Sequence, residues 1–530
     1  MLFECGRTAK NITVRKAKAF DGGEKQMKKS VCLLLCIIML LSVLFSCSSE
    51  KEDTSSAPSV STASDTSEGG GQVVYKANVP EGLDLEGRVF RVLCRDYSYG
   101  STSVTGYNGE VIQRPEYSEE TAGVVDLAKA EVRRRVEEQL NCTITGDFNH
   151  GNSSEFNNVV RNGVLSGSGQ YDMVFDAYAY SALLLADDIY VDLNTIESLD
   201  FTQPWWDQNA REDLSIDGKL YFMLGDINTF DNDGTWVMLF NKDLKSDLGI
   251  EEDFYALARD GEWTFDKFME LCKNITRDSN NDGVIDEFDT WAFGTETYNV
   301  YIHVAAGGDK IVRKDEDDIP YFTFMTESTY NSLAKIIDFY SDRTTVMVAN
   351  DGRFDGKGYT NVWEATIIKA FQEGRELFFC CGLMNVPAFR AMEDEFGILP
   401  VPKMTAEQDR YYHTVSMHNM SALSVPSISD DYTDLGYVIE SLAAESKNTA
   451  TPAYYEKSLK YQTITDDESA EMLDLIFATR SFDLGTVFDW GGILSQYMTI
   501  DPNFVSRFES VAQRAEAELE NTLEALRKSS

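Results

Sequence analysis

Three short apolar runs, Arg88–Leu93, Cys142–Phe148 and Tyr171–Phe175, are separated by two stretches with helical spacing, Val124–Leu140 and Phe156–Leu165. Strands joined through helices return in the same direction, so this order predicts parallel pairing in a sheet covered by helices. The third run, Tyr171-Asp172-Met173-Val174-Phe175, reads as a strand buried on both faces.

The alternation continues through the chain. Lys219–Leu224 and Thr235–Phe240 read as strands on either side of the polar stretch Asp226–Gly234, and Trp263–Ile275 as a helix capped by Thr264 with Asp266 in its first turn. Phe322–Tyr340 and Val362–Gln372 have amphipathic helical spacing, and Glu376–Cys381 and Phe396–Val401 read as short strands. A strand-like run, Ser416–Val425, and a helix, Tyr432–Glu445, follow; the end is helical and charged over Asn503–Lys528. The class is α/β, and 530 residues suffice for two domains with separate cores.

A formal net charge of −41 argues against nucleic acid as a partner, because phosphate binding needs clustered Lys and Arg. Of the nine cysteines, the five that follow Cys47, namely Cys94, Cys142, Cys272, Cys380 and Cys381, are scattered, odd in number and without metal spacing, which predicts buried free thiols. With only His150, His303, His413 and His418 present and none in a motif, imidazole catalysis has no support.

Lys28 and Lys29 precede the apolar run Val31–Phe45, flanked like a secretory signal and too short for a comfortable membrane span. It ends in Leu44-Phe45-Ser46-Cys47, which resembles the lipobox of bacterial lipoproteins. That resemblance implies cleavage before Cys47, lipidation of Cys47, and tethering at the outer face of the cytoplasmic membrane by the lipid alone. Residues 1–46 are thus expected to be a leader, with Met27 the expected true start. Residues 47–72, rich in Ser, Thr, Asp and Gly, are expected to form a flexible tether.

Several segments in order then resemble the family 1 extracellular solute-binding proteins. They are Tyr171-Asp172-Met173-Val174-Phe175, Pro204-Trp205-Trp206-Asp207, Gly218-Lys219-Leu220-Tyr221-Phe222, Phe240-Asn241-Lys242-Asp243-Leu244, Glu262-Trp263-Thr264-Phe265, Phe371-Gln372-Glu373-Gly374-Arg375 and Phe396-Gly397-Ile398-Leu399-Pro400-Val401-Pro402. The resemblance implies a two-lobed, periplasmic-binding-protein-like fold of type II, similar to maltose-binding proteins, with lobes joined by hinge strands. It also implies a monomer that closes on a solute, commonly a mono- or oligosaccharide, and passes it to the permease subunits of an ABC transporter. By that analogy lobe 1 holds residues 85–230 and 419–480, and lobe 2 holds residues 231–418 and 481–530, with hinges near Asp226–Trp236 and Ser416–Ser421.

A sugar site wants aromatic platforms for ring faces and polar groups for hydroxyl edges. The crossover Asp231-Asn232-Asp233-Gly234-Thr235-Trp236 supplies Asp231, Asp233 and Trp236, while Asp96 and Tyr97, and Tyr178 and Tyr180, follow the ends of strands. Trp205, Trp206, Trp363 and Trp490 are further candidates, each also able to serve as core. Maltose-type relatives often carry a tryptophan after the strand equivalent to Glu376–Cys381. Here Gly382-Leu383-Met384 stands instead, which weakens the case for a linear α-glucan.

The sharpest local motif is the loop from Asp278 to Asp289. Oxygen ligands from Asp278, Asn280, Asp282, Asp286 and Asp289, the carbonyl of Val284 and the glycine Gly283 stand at the positions of a calcium loop. A structural Ca²⁺ outside the solute cleft is the expectation, although Asp289 replaces the usual glutamate and a strand, not a helix, is expected after it. The leading function is therefore carbohydrate uptake without catalysis. Alternatives are a binder of another solute such as a peptide, or a secreted carbohydrate-active enzyme, for which no segment positions a carboxylate pair.

Overall fold

A computed structural model describes residues 73–96, 109–113, 118–120, 122–149, 152–455 and 466–528. Contacts divide the chain into Met1–Gln72 and Val73–Ser530, and the described residues all belong to the second unit. The leader, Cys47, the tether, Tyr97 and His150 lie outside the described residues.

Nine strands build two sheets: β1 Arg88–Arg95, β2 Cys142–Asn149, β3 Met173–Asp176, β4 Trp236–Asn241, β5 Trp291–Thr295, β6 Val346–Val348, β7 Glu376–Gly382, β8 Phe396–Leu399 and β9 Ala422–Ser424. The first sheet has the order β9-β3-β1-β2. Strand β1 runs parallel to both β2 and β3, as the strand–helix–strand order predicts, and β9 closes the edge antiparallel to β3. The second sheet has the order β8-β4-β7-β5-β6, in which β4 is antiparallel to both of its neighbours. Each lobe thus has a sheet with one antiparallel strand supplied by a segment that has crossed from the other lobe, and the fold is α/β and two-lobed.

Local chemistry explains the elements. The helix Val124–Leu140 buries Val125, Lys129, Val132, Val136 and Leu140, one per turn, and stops where Asn141 takes a left-handed conformation. Asn152 and Glu155 form a capping box at the head of Ser153–Leu165. Strands β3, β4 and β7 are buried on both faces, as is the second half of β1, so alternate residues serve different cores. Phe90, Val92 and Phe175 pack under the helices 124–140 and 433–448, whereas Leu93 and Val174 join a second cluster that reaches Met238, Phe240 and Phe378 of the other lobe. Gly146 lies against Val92, where a Cβ would sit 1.8 Å from the Val92 carbonyl oxygen.

The run Lys219–Leu224 departs from its strand-like pattern. It is buried but makes only isolated bridges, Ile216 with Lys219 and Met223 with Leu423, because its backbone passes beside the edge strand β9 without lying along it. The helix Asp467–Ala478, grouped with the first lobe on sequence, packs on the second: Leu473 and Ile476 join the core behind β4 and β7, and the Ser469 hydroxyl accepts from the Ile398 N–H at 3.0 Å. The final helix, Phe504–Lys528, buries Phe504, Phe508, Val511, Ala515, Leu519, Leu523 and Leu526. It straddles both lobes, since Lys219 donates to the Leu526 carbonyl and Arg527 pairs with Asp217. All five described cysteines are buried and unbonded. Among the described residues no helix is long and apolar enough to cross a membrane.

Glu376, the first residue of β7, is fully buried and neither carboxyl oxygen has a hydrogen-bond partner among the described residues. Gly294 on β5 makes room for it, since a Cβ there would lie 2.1 Å from Oε2. Burial raises the Glu376 pKa well above its ordinary value, with Arg375 opposing weakly. The folded state therefore holds a proton that the unfolded chain releases near its ordinary pKa, and the protein loses stability as pH rises through that window. Glu376→Met keeps the volume and removes the ionisable group. It is expected to raise the unfolding free energy by about 1–2 kcal/mol at neutral pH. In urea titrations the gain should grow from pH 4 toward pH 7, and a variant less stable than the parent at both would refute the account.

Candidate functional site

The chain crosses between the sheets at 226–236 and 415–422, and the two crossings touch. Thr235 bridges Val415 antiparallel, and the Ser416 N–H donates to the Gly234 carbonyl at 2.9 Å. The first crossing is anchored along its length. Asp226 pairs with Lys447 at 3.0 Å, and Asn228 Nδ2 donates to the Ser421 carbonyl. The Glu110 carboxylate accepts from the N–H groups of Thr229 and Phe230 while paired with buried Lys129 at 2.9 Å.

Arg480, buried, donates through Nη1 to Asp231 at 2.9 Å and to Asn232 at 3.0 Å, and through Nη2 to Asp207, which caps the helix Gln208–Leu214. Burial pushes the Asp231 carboxyl up to about 6, against the pull of Arg480. Asp233 accepts from the Tyr454 hydroxyl at 2.7 Å. The two aspartates expected on sequence to face a solute are thus engaged in holding the crossing, a role that sequence spacing could not reveal because Arg480 and Tyr454 come from more than two hundred residues away.

Trp236 opens β4 at the end of this crossing and stands in the wall of a cavity of about 490 Å³. Its ring is 8% exposed and packs on Tyr298 with centroids 5.5 Å apart, and its indole N–H has no acceptor among the described residues. Glu296 follows β5 directly, Met384 and Asn385 follow β7, and Ser416 and Asn419 come from the second crossing, so the cavity sits at the ends of parallel strands where open α/β sheets bind ligands.

Trp363 completes the wall and is 37% exposed. It stands just before a π-helical turn, Glu364–Ile368, of the kind that recurs at functional sites. Its indole N–H donates to Glu296 Oε2 at 2.8 Å, which fixes the ring plane. Burial raises the Glu296 pKa, partly offset by that bond. The result is an aromatic face, an oriented carboxylate and the amides Asn361, Asn385 and Asn419 around one space. Such a set binds a polar ring by stacking and hydrogen bonding.

The other sequence candidates are dispersed. Asp96 directly follows β1, with its N–H donating to the Asn149 carbonyl. Tyr178 is buried, stacks near Phe222 and donates to the Leu214 carbonyl. Tyr180 lies at the first-lobe strand ends, its ring 5.0 Å from the Arg95 guanidinium and 5.6 Å from His418. Trp205 and Trp206 are buried in the first-lobe core, and both indoles donate to Glu440, at 2.8 and 3.0 Å. Trp490 is buried against the final helix, stacked on Phe488 and bonded to Thr522. Of the tryptophans named on sequence, the cavity therefore gathers Trp236 and Trp363. Glu296, Asn361, Asn385 and Asn419 were missed, although the position of Glu296 just past a strand carried the same signal that singled out Asp96.

The loop Asp278–Asp289 bends tightly around its own backbone. Asp278 accepts from the N–H groups of Asn281 and Gly283, Asn280 from Asp282, and Asp289 from Ser279 and Asp286. Asp289 is fully buried, whereas Val284, Ile285 and Phe288 are exposed. Among the described residues no three acidic side chains converge as a metal cage. The hard oxygen donors stand in the order that calcium requires, but their present partners are backbone amides.

Residues 127–355 match the family model of the bacterial extracellular solute-binding proteins. Solved structures similar to the chain include the GacH receptor of Streptomyces glaucescens, determined unliganded and with acarbose, at 14% identity and TM-score 0.49, covering 83% of this chain and 98% of that one. An ABC substrate-binding protein from Listeria monocytogenes in complex with cycloalternan matches at 13% identity and TM-score 0.47, covering 83% and 98%. The maltose/maltodextrin-binding domain of Bdellovibrio bacteriovorus bound to maltotriose matches at 13% identity and TM-score 0.45, covering 83% and 99%. No curated protein matches the sequence.

Proposed function

We propose that this chain, whose residues 127–355 match the model of the bacterial extracellular solute-binding proteins, captures a carbohydrate between its lobes and delivers it to an ABC importer. The observation that carries the reading is the cavity beside the crossings. It combines the exposed face of Trp363 with Glu296 and three amides, the mixture of stacking surface and hydrogen-bonding edge that a sugar ring needs. Ligand affinity for the closed arrangement, and nothing else, would drive closure. Hydrolysis of a glycosidic bond needs two carboxyl groups flanking the bond, and Glu296 is the one carboxylate among the described residues lining this cavity. Binding without turnover is the reading that fits.

A thermal-shift panel of mono- and oligosaccharides tests it. A solute at a hundredfold excess over Kd stabilises the folded state by about 2.7 kcal/mol. One selective sugar, bound without product release, supports the reading. Silence across the panel moves the assignment to a non-sugar solute such as a peptide.

Two finer properties belong to the same reading. Lipid on Cys47 would hold the monomer at the outer face of the cytoplasmic membrane, beside its permease subunits, and metabolic labelling with a palmitate analogue should be lost in Cys47→Ala. A Ca²⁺ ion held by Asp278, Asn280, Asp282, Asp286, Asp289 and the Val284 carbonyl would pin the second-lobe loop. Calorimetry on chelator-treated protein should then show one Ca²⁺ bound, with the heat abolished in Asp278→Ala. No heat in the parent would dispose of the calcium expectation.

A further inference from the structure

The charge balance of the cavity narrows the solute beyond "carbohydrate". Glu296 is partly buried, and one of its oxygens, Oε2, is occupied by the Trp363 indole. Its other oxygen has no hydrogen-bond partner among the described residues. The walls described around it carry aromatic, aliphatic, Cys, Met, Asn and Ser side chains and contribute no Lys, Arg or His. When Glu296 is ionised, an acidic solute meets a like charge with no described cation to offset it, in a space where water screens poorly. A hydroxyl or an ammonium group instead donates to a charged acceptor, the stronger class of hydrogen bond. A cation gains further from the Trp363 face beside it.

We infer that the cavity takes sugars free of acidic groups, and that Glu296 is the residue that excludes uronic acids while accepting a hydroxyl or protonated amine of the solute. Glu296 does this in two ways. Its Oε2 holds the Trp363 platform at a set angle to the solute ring, and its free oxygen reads the substituent on that ring. The inference rests on the carbohydrate reading above and adds the selectivity.

The test uses the purified chain with glucose- and galactose-based mono- and disaccharides in three matched series: neutral sugars, their uronic acids and their amino sugars. Calorimetric affinities are compared for the parent, Glu296→Gln and Glu296→Asp, each first shown to melt near the parent temperature. The parent should bind neutral or amino sugars about a hundredfold more tightly than the matched uronic acid, the order expected for two like charges a few ångströms apart at a protein surface. Glu296→Gln should contract that ratio at least tenfold, because the amide keeps an acceptor for Trp363 but carries no charge. Glu296→Asp should retain most of the exclusion. A uronic acid bound as tightly as its neutral counterpart, or a ratio unchanged in Glu296→Gln, overturns the inference while leaving the carbohydrate reading standing. Silence of all three series overturns both.

Discussion

Replacing Arg480 with methionine is expected to lower the unfolding free energy by about 3–5 kcal/mol, the range for removing one partner of a buried charge cluster. The guanidinium is shared between Asp231 on the first crossing and Asp207 at the head of a first-lobe helix. Without it, two carboxylates repel each other in a buried region, and Asp231 already has one oxygen without a partner among the described residues. The loss is therefore mostly the cost of stranded charge. That origin predicts its remedy: adding Asp231→Asn and Asp207→Asn to Arg480→Met should recover a large part of the deficit. Urea denaturation of the series measures both effects. Arg134 supplies the control, since its ion pairs with Glu131 and Glu138 lie on the exposed face of a helix, where removal costs about 0–1 kcal/mol. A deficit in Arg480→Met no larger than in Arg134→Ala would mean that the crossing is not held by charge.

The second large effect separates two tryptophans that the sequence nominates together, Trp363 and Trp206. Trp363→Ala should weaken sugar affinity about thirty- to hundredfold, the loss typical of an aromatic anchor in a binding site, with stability changed by less than about 1 kcal/mol because the side chain is partly exposed. Trp206→Ala should do the reverse. It leaves a cavity in the first-lobe core and removes one of the two indole donors to Glu440, so about 3–5 kcal/mol of stability should go. Its affinity per folded molecule should stay near the parent's. Paired calorimetric and denaturation measurements read out both variants, and equal losses of affinity would sink the assignment of the cavity.

Much of the fold was legible because burial writes itself into periodicity. Val124–Leu140 was bounded on its apolar spacing alone and has those bounds in the structure. The parallel pairing of β1, β2 and β3 followed from helices standing between strand-like runs. Lys219–Leu224 misled because its composition suits a strand equally well as a buried extended segment, and the period of a run says nothing about what lies beside its backbone. Asp467–Ala478 misled for a related reason: an amphipathic helix shows that it has a buried face and not which sheet covers it.

The site divides in the same way. Residue type alone nominated Trp236 and Trp363 together with Trp205, Trp206 and Trp490, since an indole has the same hydrophobic surface and the same single donor wherever it stands. Only the tertiary arrangement decided that Glu440 takes two of those donors in a core, that Thr522 takes another under the final helix, and that Glu296 holds one at the rim of a cavity. Asp231 and Asp233, expected on sequence to face a solute, are committed to Arg480 and Tyr454 by chain segments far away in the sequence. Sequence by itself determined the class of most of the elements it marked out, the two-lobed order and the type of chemistry available, because local spacing and side-chain chemistry are properties of short segments. The structure decided which groups remain for a solute, because hydrogen-bond and charge partners are allotted by long-range contacts that no short segment contains.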